Sequence, residues 1–184
     1  MSAALNTTSG DPTVEPIVLS PGELFFGRAP AAVRTLLGSC VAVTLWHPQM
    51  RCGGMCHYLL GRRTGQASGE TAKAPGYYAT SAIEFLADRV RAAGGRPEAF
   101  EAKVFGGGQM FDESLVAASP LDVAADNVTI GLELLKREGF RVSAADTGGQ
   151  RHRKVLLDLG SGEVWVQYGQ RFSAPVALKG RRSS

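Results

Sequence analysis

The sequence lacks long hydrophobic runs and has few cysteines. None of its apolar stretches approaches the roughly 18 residues of a membrane-spanning helix, so we expect no membrane insertion. Residues 1–15 lack the basic start and the apolar segment of a secretory signal, which predicts a cytoplasmic protein. The chain has only 3 cysteines, an odd number for a disulfide framework, and we expect free thiols in a reducing compartment.

The chain also lacks a strong excess of charge. Its formal net charge is +3, and part of the basic residues falls in two short groups, at 151–154 and 179–182. Nucleic-acid-binding domains usually carry a denser basic face, so no nucleic-acid partner is expected. Hydrophobic residues make up 44% and charged residues 20%, close to the averages for globular proteins. The composition therefore predicts an ordinary folded chain.

The length of 184 residues suits one domain that buries roughly 70% of its unfolded surface. Residues 1–16 are mostly small and polar, which predicts a flexible N-terminal lead-in. We expect a single folded domain at 17–170, followed by a basic C-terminal tail at 171–184.

Strands are predicted to outnumber helices. The clearest helix covers 77–93, where apolar residues recur at helical spacing. Those residues are Ala79, Ile83, Leu86 and Val90. A second helix is predicted at 123–138, with Asp122 as a candidate cap. The predicted strands are 24–26, 41–46, 55–60, 101–105, 140–144, 154–159 and 163–168. Because strands and helices do not alternate regularly, the pattern favours a mixed α+β fold.

The stretch 35–60 contains every cysteine and two of the three histidines. Pro48 and the pair Gly53-Gly54 predict a turn that joins two strands as a hairpin. Measured from that connection, Cys40 lies far along one strand and His57 near the start of the other. Hairpin pairing alone should therefore not bring them together, and contact requires a bend near Gly38 or a displaced register.

Cys40 and His57 together would have the chemistry of an amidase. A histidine can hold a thiolate as an ion pair and later give a proton to a leaving amine. Gly38 and Ser39 permit a bend whose backbone N–H groups would face a developing oxyanion. The alternative is structural, with Cys40 as a small buried residue that opens a strand and His57 as a hydrogen-bonded strand residue.

A metal site is a weaker interpretation. Cys52, Cys56 and His57 lie close in sequence with His47 nearby, but structural zinc prefers a second matching pair of ligands, which the sequence lacks. On a strand, Cys56 and His57 would also point to opposite faces. We therefore expect neither a metal nor another cofactor.

Two glycine-rich segments are interpreted as turns. Residues 105–111 follow a predicted strand but lack the lysine of a phosphate-binding loop, so the glycines indicate positive φ angles or close backbone approach. Residues 146–149 predict a second turn. The basic group at 151–154 is interpreted as the solvated start of a strand, and secondarily as a docking patch for an acidic partner.

Four segments resemble the CheD family, the chemoreceptor glutamine deamidases of bacterial chemotaxis. They are TLLGSCVAV (35–43), GGMCH (53–57), KVFGGGQMF (103–111) and DTGG (146–149). The resemblance extends over 17–168 with the segments in the family's order. It implies an α+β sandwich of mixed β-sheets with flanking helices, similar to the cytotoxic necrotizing factor deamidases.

The resemblance also implies an activity and its residues. The protein would be a cysteine amidohydrolase that converts glutamine side chains of methyl-accepting chemotaxis receptors to glutamate through a thioester. Cys40 would be the nucleophile, His57 the base and later the acid, and Thr35 the residue that orients the histidine, with Thr44 as the fallback. A CheC-type phosphatase is the implied further partner. The alternative function is a non-catalytic binding module that docks chemoreceptors or such a phosphatase.

Overall fold

The computed structural model describes residues 15–62, 73–109 and 123–169. In chain order the elements are β1 (Ile17–Leu19), β2 (Leu24–Arg28), β3 (Ala32–Leu37), β4 (Val41–His47), β5 (Cys52–Tyr58), α1 (Ala79–Ala92), a short 3-10 turn (Pro97–Ala99), β6 (Glu101–Gly106), α2 (Val123–Arg137), β7 (Arg141–Thr147), β8 (Arg153–Asp158) and β9 (Val164–Tyr168). The predicted lead-in before residue 15, the cap at Asp122 and the tail after 170 lie outside the described residues.

Both predicted helices are confirmed, with ends within two residues of the prediction. The face of α1 that the sequence pattern identified is buried at Ala79, Ile83, Leu86 and Val90. Burial of this apolar face provides most of the stability of the helix, because short helices are marginal without tertiary packing. Within the described ranges, no helix combines the length and the apolar character needed to cross a membrane.

The strands form two sheets, and the α+β sandwich predicted for the chain is confirmed. One sheet has four strands in the order β1-β3-β8-β9, and the other has five in the order β2-β5-β4-β6-β7. Both sheets are mixed, because β1 pairs with β3 and β6 with β7 in parallel, whereas the other neighbours are antiparallel.

Two apolar clusters define three layers. One cluster includes Leu37, Ala42, Met55 and Val155, which come from both sheets and fill the space between them. The other packs the opposite face of the five-stranded sheet against α1 and α2. Side chains alternate between the two faces along a strand. His57, placed between Cys56 and Tyr58 of the helix-facing cluster, therefore faces the gap between the sheets.

The connection between β4 and β5 is shorter than predicted. The pair Gly53-Gly54, predicted as part of the turn, lies inside β5, and the turn spans only 48–51. Glycine is required at both positions because a Cβ on Gly53 would lie 2.0 Å from the Leu45 carbonyl oxygen and one on Gly54 2.1 Å from that of Phe25. These glycines therefore allow close approach of neighbouring strands and do not end the strand.

We predict that Gly131→Ala destabilises the protein, although glycine in an exposed helix normally costs about 1 kcal/mol relative to alanine. Gly131 lies on α2, and a Cβ there would be 2.1 Å from the Tyr58 hydroxyl oxygen. Tyr58 is fully buried and donates a hydrogen bond to the Asn127 carbonyl at 2.8 Å, so it has little room to move. Overpacking of this kind costs about 1–3 kcal/mol.

Urea unfolding of Gly131→Ala and of a surface control on the same helix, Lys136→Ala, provides the measurement. The control should change the free energy of unfolding by less than about 0.5 kcal/mol, because Lys136 is exposed. A stabilised Gly131→Ala variant would contradict the close packing of α2 on Tyr58.

Candidate active site

Cys40 lies on a short loop between β3 and β4, at the end of the sandwich. The residue is half-buried and its neighbour Ser39 is exposed. Two backbone hydrogen bonds hold this loop against residues 106–108 at the end of β6, here called the glycine turn. Gly107 N–H donates to the Cys40 carbonyl at 2.8 Å, and Gly108 N–H donates to the Gly38 carbonyl at 3.0 Å. The loop that carries the thiol is therefore fixed from one side.

The glycine turn is a site of close backbone approach, as the sequence indicated. Gly106 and Gly107 have φ angles of 111° and 60°, which residues with a side chain rarely adopt. A Cβ on Gly106 would lie 2.2 Å from the Cys40 carbonyl oxygen. Any side chain at this position would push the turn away from the Cys40 loop.

The same contacts orient the N–H groups of the loop. In a trans peptide the N–H points opposite to the carbonyl of the preceding residue. Because the Gly38 carbonyl faces the glycine turn, the Ser39 N–H points away from it. Among the described residues, neither Ser39 nor Cys40 donates its N–H to the backbone of another residue.

His57 lies near the far end of β5, directly opposite Ala42 on β4. Cys40 lies just before β4, two residues before Ala42, and packs against the apolar cluster between the sheets that His57 also faces. As expected, the pairing does not make Cys40 and His57 opposite neighbours, but the prediction that His57 lies near the start of its strand is wrong, because the short 48–51 turn places it far from the connection.

Thr35 reaches His57 from the other sheet. Its hydroxyl oxygen lies 2.8 Å from His57 Nδ1, and both side chains are buried. The same hydroxyl donates to the Leu19 carbonyl at 2.8 Å. A hydroxyl has one hydrogen, so it must accept from the imidazole. Nδ1 therefore carries a proton, and Nε2 presents a lone pair.

His57 Nε2 is buried and has no hydrogen-bond partner in the part of the chain that the structure describes. Buried polar atoms are normally paired, and an exception in a native structure is often found at a site of chemistry. With Nδ1 held by Thr35, the ring has one fixed end and one end ready to accept a proton.

Burial sets the resting charge of the pair. It lowers the pKa of His57 to about 4, against smaller opposing contributions from the Leu19 carbonyl and the Glu23 carboxylate. Burial also raises the pKa of the Cys40 thiol, with weaker opposing contributions from nearby hydrogen bonds. Near neutral pH both groups are therefore neutral at rest, a thiol and an imidazole, and not the ion pair considered from sequence.

The other residues singled out in this region lie elsewhere or have other partners. Cys56 is fully buried on the helix-facing side, where burial raises the pKa of its thiol to about 12. Cys52 and His47 pair at the opposite end of the hairpin, and His47 Nδ1 accepts from the Met50 N–H. Thr44 is buried on β4, but the residue bonded to His57 Nδ1 is Thr35.

No metal-binding group appears at these positions. Within residues 15–62, 73–109 and 123–169, no three histidine, cysteine or carboxylate side chains are grouped so that they could hold a metal ion.

Two contributors to the site escaped the sequence interpretation. The Leu19 carbonyl, which orients the Thr35 hydroxyl, belongs to a strand of 3 residues that is too short to show a pattern. Arg153 was predicted as part of a solvated strand start, and this is wrong because its side chain is only 5% exposed and pairs with Asp146. The available signal was its place two residues before Val155, which puts Arg153 in register with the buried positions Val155 and Leu157 of β8.

A family model described as CheD chemotactic sensory transduction matches residues 59–168, more than half of the chain. The matched range begins after His57, so Cys40 and His57 lie outside it. Longer alignments with individual proteins include both.

Curated relatives align over most of the chain. A protein of Pseudomonas syringae pv. tomato named probable chemoreceptor glutamine deamidase CheD is 42% identical over 83% of this chain and 88% of its own length. A protein of the same name from Methanococcus vannielii is 36% identical over 80% of this chain and 92% of its own.

A solved structure, Bacillus licheniformis hypothetical protein YfiH, aligns with 69% of this chain and 49% of its own at 13% identity, with a TM-score of 0.43. That likeness is too low to support a conclusion. The family model and the relatives, in contrast, agree with each other and with the four segments singled out in the sequence, and on their evidence the chain belongs to the CheD family.

Proposed function

We propose that this chain is a protein-glutamine deamidase that converts glutamine side chains of methyl-accepting chemotaxis receptors to glutamate, with Cys40 as nucleophile, His57 as base and acid, and Thr35 as the residue that orients His57. The names of the aligned relatives support the substrate and the reaction. The folded part responsible would be the predicted domain at 17–170.

One observation carries the mechanistic part of the proposal. The Thr35 hydroxyl donates to Leu19 and accepts from His57 Nδ1, which leaves the Nε2 lone pair buried and without a partner among the described residues. Cys40 packs against the same gap between the sheets. A general base must be neutral, correctly oriented and near the proton that it removes. The low pKa of His57 meets the first condition, and Thr35 meets the second.

The first half of the reaction forms the thioester. His57 Nε2 takes the proton of the Cys40 thiol as the sulfur attacks the carbonyl carbon of the glutamine side chain. The resulting tetrahedral intermediate carries a negative oxygen. Its collapse breaks the C–N bond, and the imidazolium returns the proton to the leaving nitrogen, which departs as ammonia.

The second half hydrolyses the thioester. His57, again neutral, takes a proton from a water molecule as the water oxygen attacks the thioester carbon. The second tetrahedral intermediate collapses with cleavage of the C–S bond, and the proton returns to the sulfur. Glutamate and the free Cys40 thiol are the products, so no cofactor is consumed.

The backbone of the Cys40 loop supplies the stabilisation of the developing oxyanion. The Ser39 N–H points away from the glycine turn, and neither it nor the Cys40 N–H is used by another backbone group of the described residues. Donors fixed in advance at such a position lower an acyl-transfer barrier more than any other single feature. The contacts to Gly107 and Gly108 keep these donors in place.

The wider setting is proposed from the family resemblance. The protein would act in the cytoplasm on chemoreceptors and would bind a CheC-type phosphatase. Binding measurements with purified partners would test these proposals directly.

We predict that Cys40→Ala abolishes ammonia release from a receptor fragment while the fold is retained. Cys52→Ser and Cys56→Ser should remain active, because these thiols are buried away from His57. Ammonia release and mass spectrometry of the fragment are the measurements, and circular dichroism reports the fold. Full activity in Cys40→Ala would exclude the covalent mechanism, and wild-type binding of receptors without deamidation would favour the alternative of a docking module.

We predict that Thr35→Val and Thr35→Ser differ sharply. Valine preserves the shape but removes the acceptor for Nδ1–H, so kcat should fall about a hundredfold or more, the usual range for loss of general-base function. Serine retains the hydroxyl and should retain most activity. Thr44→Val is the control, since Thr44 is equally buried but is not bonded to His57 Nδ1. Equal losses in the two Thr35 variants would show that the hydroxyl has no part in the reaction.

We predict that kcat/KM is half-maximal near pH 4 and level from about pH 5 to neutrality, because His57 must be neutral and its pKa is lowered to about 4. Alkylation of Cys40 by iodoacetamide should instead rise with pH through and beyond neutrality, since the pKa of the thiol is raised. Cys40→Ala gives the background. A fast, pH-independent alkylation in mild acid would indicate a resting thiolate–imidazolium pair and would contradict the neutral pair.

A further inference from the structure

Arg153 joins the two sheets close to the Cys40 loop. It begins β8, where it lies opposite Leu37, the last residue of β3 before that loop. Its side chain is 5% exposed and crosses to the end of β7 in the other sheet. There Nε donates to Asp146 Oδ1 at 3.2 Å, and Nη2 donates to the Gly148 carbonyl at 2.5 Å.

The Asp146 end of this contact is itself fixed. The Tyr168 hydroxyl of β9 donates a short hydrogen bond to Asp146 Oδ2, and the Tyr168 ring lies under the Arg153 guanidinium at 5.6 Å. Arg153 thus has a defined orientation and is hydrogen-bonded both to a side chain at the end of β7 and to the backbone of the segment that follows β7.

That segment contacts the glycine turn directly. Gly148 N–H donates to the Gly106 carbonyl at 3.0 Å, and Gln109 N–H donates to the Gly149 carbonyl at 2.8 Å. Gly107 and Gly108 of the glycine turn donate to the Cys40 and Gly38 carbonyls. A continuous series of hydrogen bonds therefore runs from Arg153 through Gly148 and the glycine turn to the loop that carries the thiol.

We propose that Arg153 is a positioning residue for Cys40: by holding Gly148 and Asp146, it sets the position of the glycine turn and, through it, the direction of the loop N–H groups. The inference rests on the proposed function, since it assigns Arg153 to the same reaction. It adds a part of the chain, the start of β8, that the Cys40, His57 and Thr35 set does not include.

The chemistry of the contact favours positioning over simple stabilisation. A buried ion pair is weak evidence for stability, because the cost of removing both charges from water offsets most of their attraction. Arg153 also leaves Nη1 buried without a partner among the described residues, which adds to that cost. What the guanidinium provides is a planar fork that fixes two acceptors at once, and lysine cannot reproduce this geometry.

The test compares Arg153→Lys and Asp146→Ala with the control Arg151→Ala. Arg151 is exposed and stacks on the same Tyr168 ring at 4.7 Å, but it makes no hydrogen bond to Asp146 or Gly148. Three quantities are measured for each protein: kcat and KM for deamidation of a receptor fragment, the rate of Cys40 alkylation as a function of pH, and the melting temperature.

For Arg153→Lys and Asp146→Ala we expect kcat to fall about tenfold to a hundredfold with KM unchanged, the usual effect of a displacement near 1 Å at a reacting group. In these two variants the pH profile of Cys40 alkylation should also shift. Arg151→Ala should match the wild type in kcat and in the alkylation profile. If Arg153→Lys does not fold, Asp146→Ala provides the test, because the Asp146 side chain is 29% exposed and that of Arg153 only 5%.

Two results would overturn the inference. A lower melting temperature with unchanged kcat and alkylation in the folded variants would make the role purely structural. A raised KM with unchanged kcat would make Arg153 a substrate contact. Neither result depends on the outcome for Cys40→Ala, so failure of the positioning role can be told apart from failure of the deamidase proposal.

Discussion

The hydrogen bond between Thr35 and His57 is the contact on which the arrangement of the site depends. It crosses the gap between the two sheets, so it forms only when both sheets are complete and packed in register. The Leu19 carbonyl then decides which way the hydroxyl donates, and that choice fixes the imidazole tautomer. Three short strands far apart in the sequence thereby determine which nitrogen of one ring can accept a proton, and the sandwich is the means of bringing them together.

A second constraint acts on the thiol from the opposite side. The glycine turn approaches the Cys40 loop so closely that Gly106 tolerates no side chain, and its N–H groups donate to the Gly38 and Cys40 carbonyls of that loop. The Ser39 N–H therefore points away from the turn without help from a helix N-terminus. The sheets position His57 and the turn positions Cys40, so the two side chains of the proposed reaction are held by different parts of the fold.

Patterns in the sequence were enough to predict both helices and most strands and to single out Cys40 and His57, whereas Thr35 came only from the family resemblance. What these patterns could not predict were contacts decided by long-range pairing. Gly53-Gly54 has the composition of a turn, and only the neighbouring strands show that it needs to be inside β5. From its sequence neighbours, Arg153 is likewise predicted to be solvated, and only the folded structure shows its ion pair with Asp146. The choice between Thr35 and Thr44 depended on which strand faces His57 across the gap between the sheets, and sequence periodicity does not contain that information.

The neutral resting state of Cys40 and His57 has a consequence for the reactivity of the thiol. Oxidants and alkylating agents react with the thiolate, so a thiol whose pKa is raised by burial is poorly reactive until a base removes its proton. The basicity of the His57 imidazole is also low, because burial keeps its pKa near 4. In the proposed reaction, proton transfer from Cys40 to His57 would become favourable only when a bound amide and the loop N–H groups share the charge that develops. Burial thus lowers the general reactivity of the Cys40 thiol and would tie its activation to the presence of substrate.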